Sequence, residues 1–125
     1  MELAVINEKL LPLTEVPLDK LDRGLFFGDG VYEVLRSYQG RLFAFEEHLA
    51  RFEKSAAEIR LSPLNITQIR NRVLDAFRQA GLQNAKIYFH LTRGCQLRDH
   101  LPAPNLKPSF FLTVQELRDN PQKKL

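Results

Sequence analysis

Between Phe45 and Ala80 the apolar residues recur every third or fourth position; the flanking segments carry β-type runs instead. In the first stretch Phe45, Leu49, Phe52, Ala56 and Ile59 form one stripe, and in the second Ile66, Ile69, Val73, Phe77 and Ala80 form another. Each spacing puts one apolar face on an α-helix. Glu46 and Glu47 sit in the first turn of the first helix, where the helix dipole favours acids. Asn65 with Gln68 resembles a capping box, and Gly81 stands where a C-terminal glycine is expected. Two one-sided helices between β runs predict an α+β fold, a largely antiparallel sheet with both helices on one face.

The β runs are short. "LAVI" and "KLLPL" read as a strand pair about Asn7 and Glu8, and Gln39-Gly40 between "VYEVLRSY" and "RLFAF" reads as a hairpin turn. In "KIYFHL", Ile87, Phe89 and Leu91 alternate with Tyr88, His90 and Thr92, so its faces differ. "SFFLTV" is apolar at nearly every position and is expected to be buried on both faces, against a further layer.

Between those last two runs lies "TRGCQLRDHLPAPNLKP", residues 92–108. Hairpin loops usually run two to five residues, and loops beyond about 12–15 tend to be functional or disordered. Pro102, Pro104 and Pro108 stiffen this one. In an extended segment Arg98 and His100 would face the same way and offer a guanidinium fork and an imidazole to one anion. A solvated loop is the plainer alternative.

Totals narrow the class. At 125 residues and 44% apolar the chain is sized for one core. No apolar run approaches a membrane span, and no secretory signal is apparent. One cysteine, Cys95, fits a reducing compartment, so cytoplasm is expected and a membrane partner is not. Residues 1–59 carry 7 Lys/Arg against 11 Asp/Glu, whereas residues 60–125 carry 11 against 4. The basic residues are scattered rather than run together, so nucleic acid is not the expected partner.

Other motifs carry less. Gly28-Asp29-Gly30 lacks the third glycine of a dinucleotide loop and precedes a strand, so it reads as a tight turn. Tyr32 begins that strand, either as a substrate-orienting phenol or as a rim residue. His48, Arg51 and Ser55 form a polar stripe beside the apolar one. Arg51 is either half-buried and anion-bound, or a surface residue paired with Glu47 or Glu58. Three histidines and one cysteine show no paired metal-ligand spacing, and no metal is expected. Arg93 and Arg98 near Cys95 would make its thiol somewhat acidic, but it has no base partner and reads as passive.

Taken together, Asp22-Arg23-Gly24, Phe27-Gly28-Asp29-Gly30, Tyr32-Glu33, His48 to Arg51 and "KIYFHLTRG" resemble the fold-type IV (class IV) pyridoxal-phosphate aminotransferases, over roughly residues 3–116. Val31-Tyr32-Glu33-Val34 and Arg98-Asp99-His100 look like the D-amino-acid aminotransferases within that family. The resemblance implies a pyridoxal 5′-phosphate cofactor whose phosphate is bound by Arg51. It implies a substrate α-carboxylate held by Tyr32, Arg98 and His100, with the loop reaching the neighbouring subunit of a homodimer. Substrates would be an amino acid and a 2-oxo acid, of the D-alanine:2-oxoglutarate type.

By the same resemblance, residues 1–117 are an N-terminal small domain and 118–125 open an interdomain linker. The Schiff-base lysine lies in a second domain, and Lys123 and Lys124 do not have its context. No catalytic residue is then expected within these 125 residues, and by themselves they would be inactive. Branched-chain or other class IV L-amino-acid transamination and aminodeoxychorismate lysis are the alternatives within the family. A non-catalytic module binding an anion or nucleic acid is the alternative outside it.

Overall fold

A computed structural model describes residues 2–6, 8–61 and 64–118. The chain divides into two compact units, Met1–Gly30 with Thr92–Ser109, and Val31–Leu91 with Phe110–Leu125.

In the first unit, β1 (Leu3–Ile6) pairs antiparallel with β2 (Lys9–Pro12), Leu3 opposite Pro12 and Ile6 opposite Lys9. This is the expected strand pair; Asn7 of its turn lies outside the described residues. Two 3-10 turns, Leu13–Glu15 and Leu18–Leu21, lead into a short helix, α1 (Arg23–Phe27). The sequence reads as turns here, yet α1 is a helix with proper ends. Asp22 accepts a hydrogen bond from the Gly24 amide, and Gly28 closes the helix in the left-handed conformation. The long loop belongs to this unit. Its base is tight at Gly94, where a Cβ would come within 2.5 Å of the Lys107 carbonyl oxygen.

The second unit holds the sheet, in the order β4-β3-β5-β6. Its strands are β3 (Gly30–Tyr38), β4 (Arg41–Leu42), β5 (Ala85–Thr92) and β6 (Ser109–Glu116). Gln39 and Gly40 both have positive φ, as a two-residue hairpin requires, and Ser37 faces Leu42 across it. β4 is shorter than "RLFAF" predicts, because the chain turns at left-handed Ala44 to start α2 (Phe45–Glu58). The Gly40 amide bonds to the Gln83 carbonyl and the Leu117 amide to the Asn84 carbonyl, so β5 runs antiparallel to both neighbours.

The predicted stripes become the core. Leu49, Phe52 and Ala56 of α2, with Ile69 and Val73 of α3 (Ile66–Ala80), pack on Val31, Leu35, Ile87 and Phe89. Both helices thus cover one face of the antiparallel sheet. The α3 cap is the Asn65 side chain, which accepts from the Gln68 amide at 3.0 Å.

The last strand has one covered face and one open face. Phe110, Leu112 and Val114 pack on the core, but Phe111 on the opposite face is 52% exposed. β6 is the edge strand of the sheet, and within the described residues Phe111 on its outer face has no packed layer over it.

Ser37 joins two elements from inside the core. Its hydroxyl donates to the Gln83 carbonyl at 3.1 Å and accepts from the Ala85 amide at 2.8 Å. Gln83 keeps a bond from Gly40 if Ser37 is lost, but the Ala85 amide loses this acceptor. Ser37→Ala is therefore expected to destabilise the fold by about 1–3 kcal/mol in urea denaturation. A change within about 0.5 kcal/mol, the range of ordinary surface substitutions, would show that Ser37 does not hold this junction.

Candidate functional site

Glu33 is the centre of the polar group in the second unit. It lies on β3 between Val31 and Leu35, which point into the core, and is only 5% exposed. A carboxylate there must be paired. Arg51 of α2 supplies a bidentate fork, Nε to Oε2 at 2.9 Å and Nη2 to Oε1 at 2.7 Å. His48, one turn earlier, places Nδ1 at 2.7 Å from Oε1. Burial alone would raise the Glu33 pKa. The hydrogen bonds and charges of Arg51 and His48 outweigh it and leave the carboxyl below its ordinary range.

With Glu33 ionised, His48 Nδ1 is the donor to it. The 3.3 Å approach of Arg51 Nη2 to Nδ1 is then a close packing of two donors. Among the described residues, the arrangement leaves Arg51 Nη1 and His48 Nε2 for another ligand.

This geometry corrects both readings of Arg51. Its side chain is 65% exposed rather than half-buried, and its partner is Glu33 rather than Glu47 or Glu58. Glu33 pushes the guanidinium pKa further up, so it remains a cation.

The sheet face away from the helices carries Tyr32, 65% exposed, with its ring 6.0 Å from that of Tyr88. Burial, and then the neighbouring Tyr32, pushes the Tyr88 phenol pKa up. The phenol oxygen and His90 Nδ1 share a hydrogen bond at 2.7 Å. Sequence reasoning passes over Tyr88 and His90 as site residues, although their alternation with core residues marks them as outward-facing.

In the first unit the centre is Asp29. Its Oδ2 accepts from Arg23 Nε at 2.8 Å and from Arg93 Nε at 2.9 Å. Burial would raise its pKa, and the two arginines outweigh that and lower it. Arg23 is 4% exposed and also bonds the loop carbonyls of Asp99 and His100.

The loop is bent at Leu97, Arg98 and His100 rather than extended. Arg98 and His100 therefore do not align as in a strand, but the two side chains still converge, on Phe27. The Arg98 guanidinium carbon lies 5.0 Å from the Phe27 centroid, and the His100 ring 5.3 Å. Among the described residues neither has a hydrogen-bond or carboxylate partner, so both can receive an anion. Cys95 runs opposite to expectation: burial, then Asp22 and Asp19, pushes its thiol pKa up.

Residues 30–125 match the model of the amino-transferase class IV family. The chain belongs to the class IV aminotransferases. It is 38% identical over 105 residues to D-alanine aminotransferase of Staphylococcus haemolyticus, covering 82% of this chain and 37% of that protein. Among solved structures it superposes on 4-amino-4-deoxychorismate lyase from Pseudomonas aeruginosa with TM-score 0.69 and 30% identity, covering 90% of this chain and 40% of that one. Branched-chain amino acid aminotransferase from Escherichia coli shares the fold, with TM-score 0.71 at 20% identity, over 89% of this chain and 39% of that one. The chain thus spans about two fifths of the length of these class IV relatives.

The lowered Glu33 pKa sets the sign of a pH dependence. Its stabilisation is fully present above the unfolded carboxyl pKa, about 4.3. It is lost as pH falls through the lower folded value. Glu33→Gln cannot titrate and leaves no buried charge unpaired, because Arg51 is exposed. The variant should be less stable than the parent at pH 7, with the gap closing as pH falls below about 4. Chemical denaturation across that range measures it, and a gap that stays constant or widens toward low pH would contradict the pairing.

Proposed function

We propose that the complete protein carrying this chain is a pyridoxal 5′-phosphate-dependent D-amino-acid aminotransferase, exchanging an amino group between a D-amino acid and a 2-oxo acid. One observation carries it. Arg98 and His100, without hydrogen-bond partners among the described residues, converge on Phe27 in a chain 38% identical to a D-alanine aminotransferase. A planar guanidinium forks onto a carboxylate, and an imidazole adds a third bond. Tyr32, an exposed phenol, is the third carboxylate-binding group in this reading. Holding the α-carboxylate at fixed points orients the α-carbon for reaction.

The residues fit the phosphate end of the cofactor. Arg51 is a permanent cation, largely exposed, with Glu33 occupying Nε and Nη2 and leaving Nη1 for an anion. His48 Nε2 is the neighbouring group. Glu33 then acts as the brace that fixes the guanidinium plane. When bound, the cofactor supplies the electron sink that stabilises negative charge at the substrate α-carbon.

In the same reading residues 1–117 form an N-terminal domain, and 118–125 open a linker to a domain with the Schiff-base lysine; residues 119–125 lie outside the described residues. The protein works as a homodimer in the cytoplasm. The length of the relatives, of which this chain spans about two fifths, supports the domain assignment.

Assay of the complete protein with D-alanine and with L-leucine tests the class. Turnover of D-alanine is expected, and exclusive turnover of L-leucine would replace the proposal with branched-chain transamination. Arg98→Ala should raise the KM for D-alanine by one to two orders of magnitude, since a charge-assisted bond contributes about 1.5–3 kcal/mol. An unchanged KM would remove Arg98 from the site.

A further inference from the structure

Arg23 makes contacts that carboxylate and phosphate binding do not use. Its charge is matched by Asp29, and its two terminal nitrogens reach past that pair to the loop. Nη1 donates to the Asp99 carbonyl at 2.5 Å and Nη2 to the His100 carbonyl at 3.1 Å. These are consecutive backbone groups, starting one residue after Arg98. The same guanidinium packs on Phe27, 4.9 Å from the ring centroid, and that ring also carries the Arg98 guanidinium and the His100 imidazole.

The loop braces itself elsewhere. Gln96 bonds the Leu101 carbonyl and the Ala103 amide through its side-chain amide, and Asp99 Oδ1 accepts from the Leu101 amide. Those contacts shape the loop internally but do not fix residues 98–100 against α1. Arg23 and Phe27 do. Arg23 is itself fixed, because Asp29 is tied at the same oxygen by Arg93.

We propose that Arg23 and Phe27 are the positioning residues of the Arg98–His100 pair. Arg23 grips the backbone and Phe27 provides the surface on which both side chains settle. The inference rests on the reading of Arg98 and His100 as the carboxylate-binding groups. Arginine is required by the geometry. A lysine ammonium could keep the ion pair with Asp29, but its one nitrogen cannot reproduce the planar fork whose three separate nitrogens meet Asp29 and the two carbonyls. The loop would keep its internal bonds and lose its register.

The test uses the complete protein with Arg23→Lys, Phe27→Leu and Arg98→Ala, and reads KM and kcat for D-alanine with the dissociation constant for pyridoxal phosphate. Arg23→Lys should raise the KM for D-alanine roughly ten- to hundredfold, as expected for misplaced binding groups. Cofactor affinity should stay unchanged, whereas a general loss of structure would weaken both together. Phe27→Leu should raise KM about two- to fivefold, from the loss of a cation–π contact, and it decides the matter if Arg23→Lys does not fold. An unchanged KM, or a parallel loss of cofactor affinity, overturns the inference. If Arg98→Ala raises KM and Arg23→Lys does not, positioning fails while the carboxylate reading stands. If Arg98→Ala leaves KM unchanged, the carboxylate reading fails and takes this inference with it.

Discussion

A carboxylate withdrawn from water cannot stand alone, and among the described residues Asp29 and Glu33, four apart in sequence, are in that position. Asp29 ends the turn before β3, and Glu33 lies inside that strand among core residues. Each is kept ionised by arginines drawn from other segments, Arg23 and Arg93 for Asp29 and Arg51 for Glu33. Taking such a charge out of water is unfavourable by several kcal/mol unless it is paired and hydrogen-bonded. The pairings therefore dictate where the arginines lie. Around Asp29 this joins α1 to the long loop, through Arg23 and Arg93. Around Glu33 it ties a helix to a strand through their polar edge.

The two clusters do different work. Glu33 takes one edge of Arg51 and leaves an exposed amino group with no partner among the described residues. Arg23 is committed entirely to structure, to Asp29 and two carbonyls. Arg98, in the loop before the last strand, pairs with no carboxylate among the described residues and rests on an aromatic face. Three arginines of one small chain thus divide into a brace, a partly braced cation and an open cation. What separates them is the number of acceptors each already has, which sequence does not show.

The fold is legible in the sequence because its signals are local. Period-3.6 stripes, the Asn65 cap, Gly81 and the Gln39-Gly40 turn each depend on a few neighbouring residues, and each appears where the sequence puts it. The short α1 escapes sequence reading because five residues carry no readable period. The polar partnerships are less legible because they join distant segments. Glu33 and Arg51 are 18 residues apart, and Arg93 and Asp29 are 64. Sequence reasoning offers Arg51 its helical neighbours as partners and gives Cys95 an acidic thiol from adjacent arginines. The fold instead brings Asp22 and Asp19 to the thiol. In "SFFLTV" the inward residues pack on the core and Phe111 faces outward, on the side where the sequence calls for a further layer.

Ionised Asp29 and Glu33 organise the arginines around them. A carboxyl-carbon NMR titration of the two side chains in the folded protein should find both titrating below the ordinary ranges of aspartate and glutamate. Titration of either carboxyl at or above its ordinary value would mean that burial outweighs pairing, and would contradict that organisation.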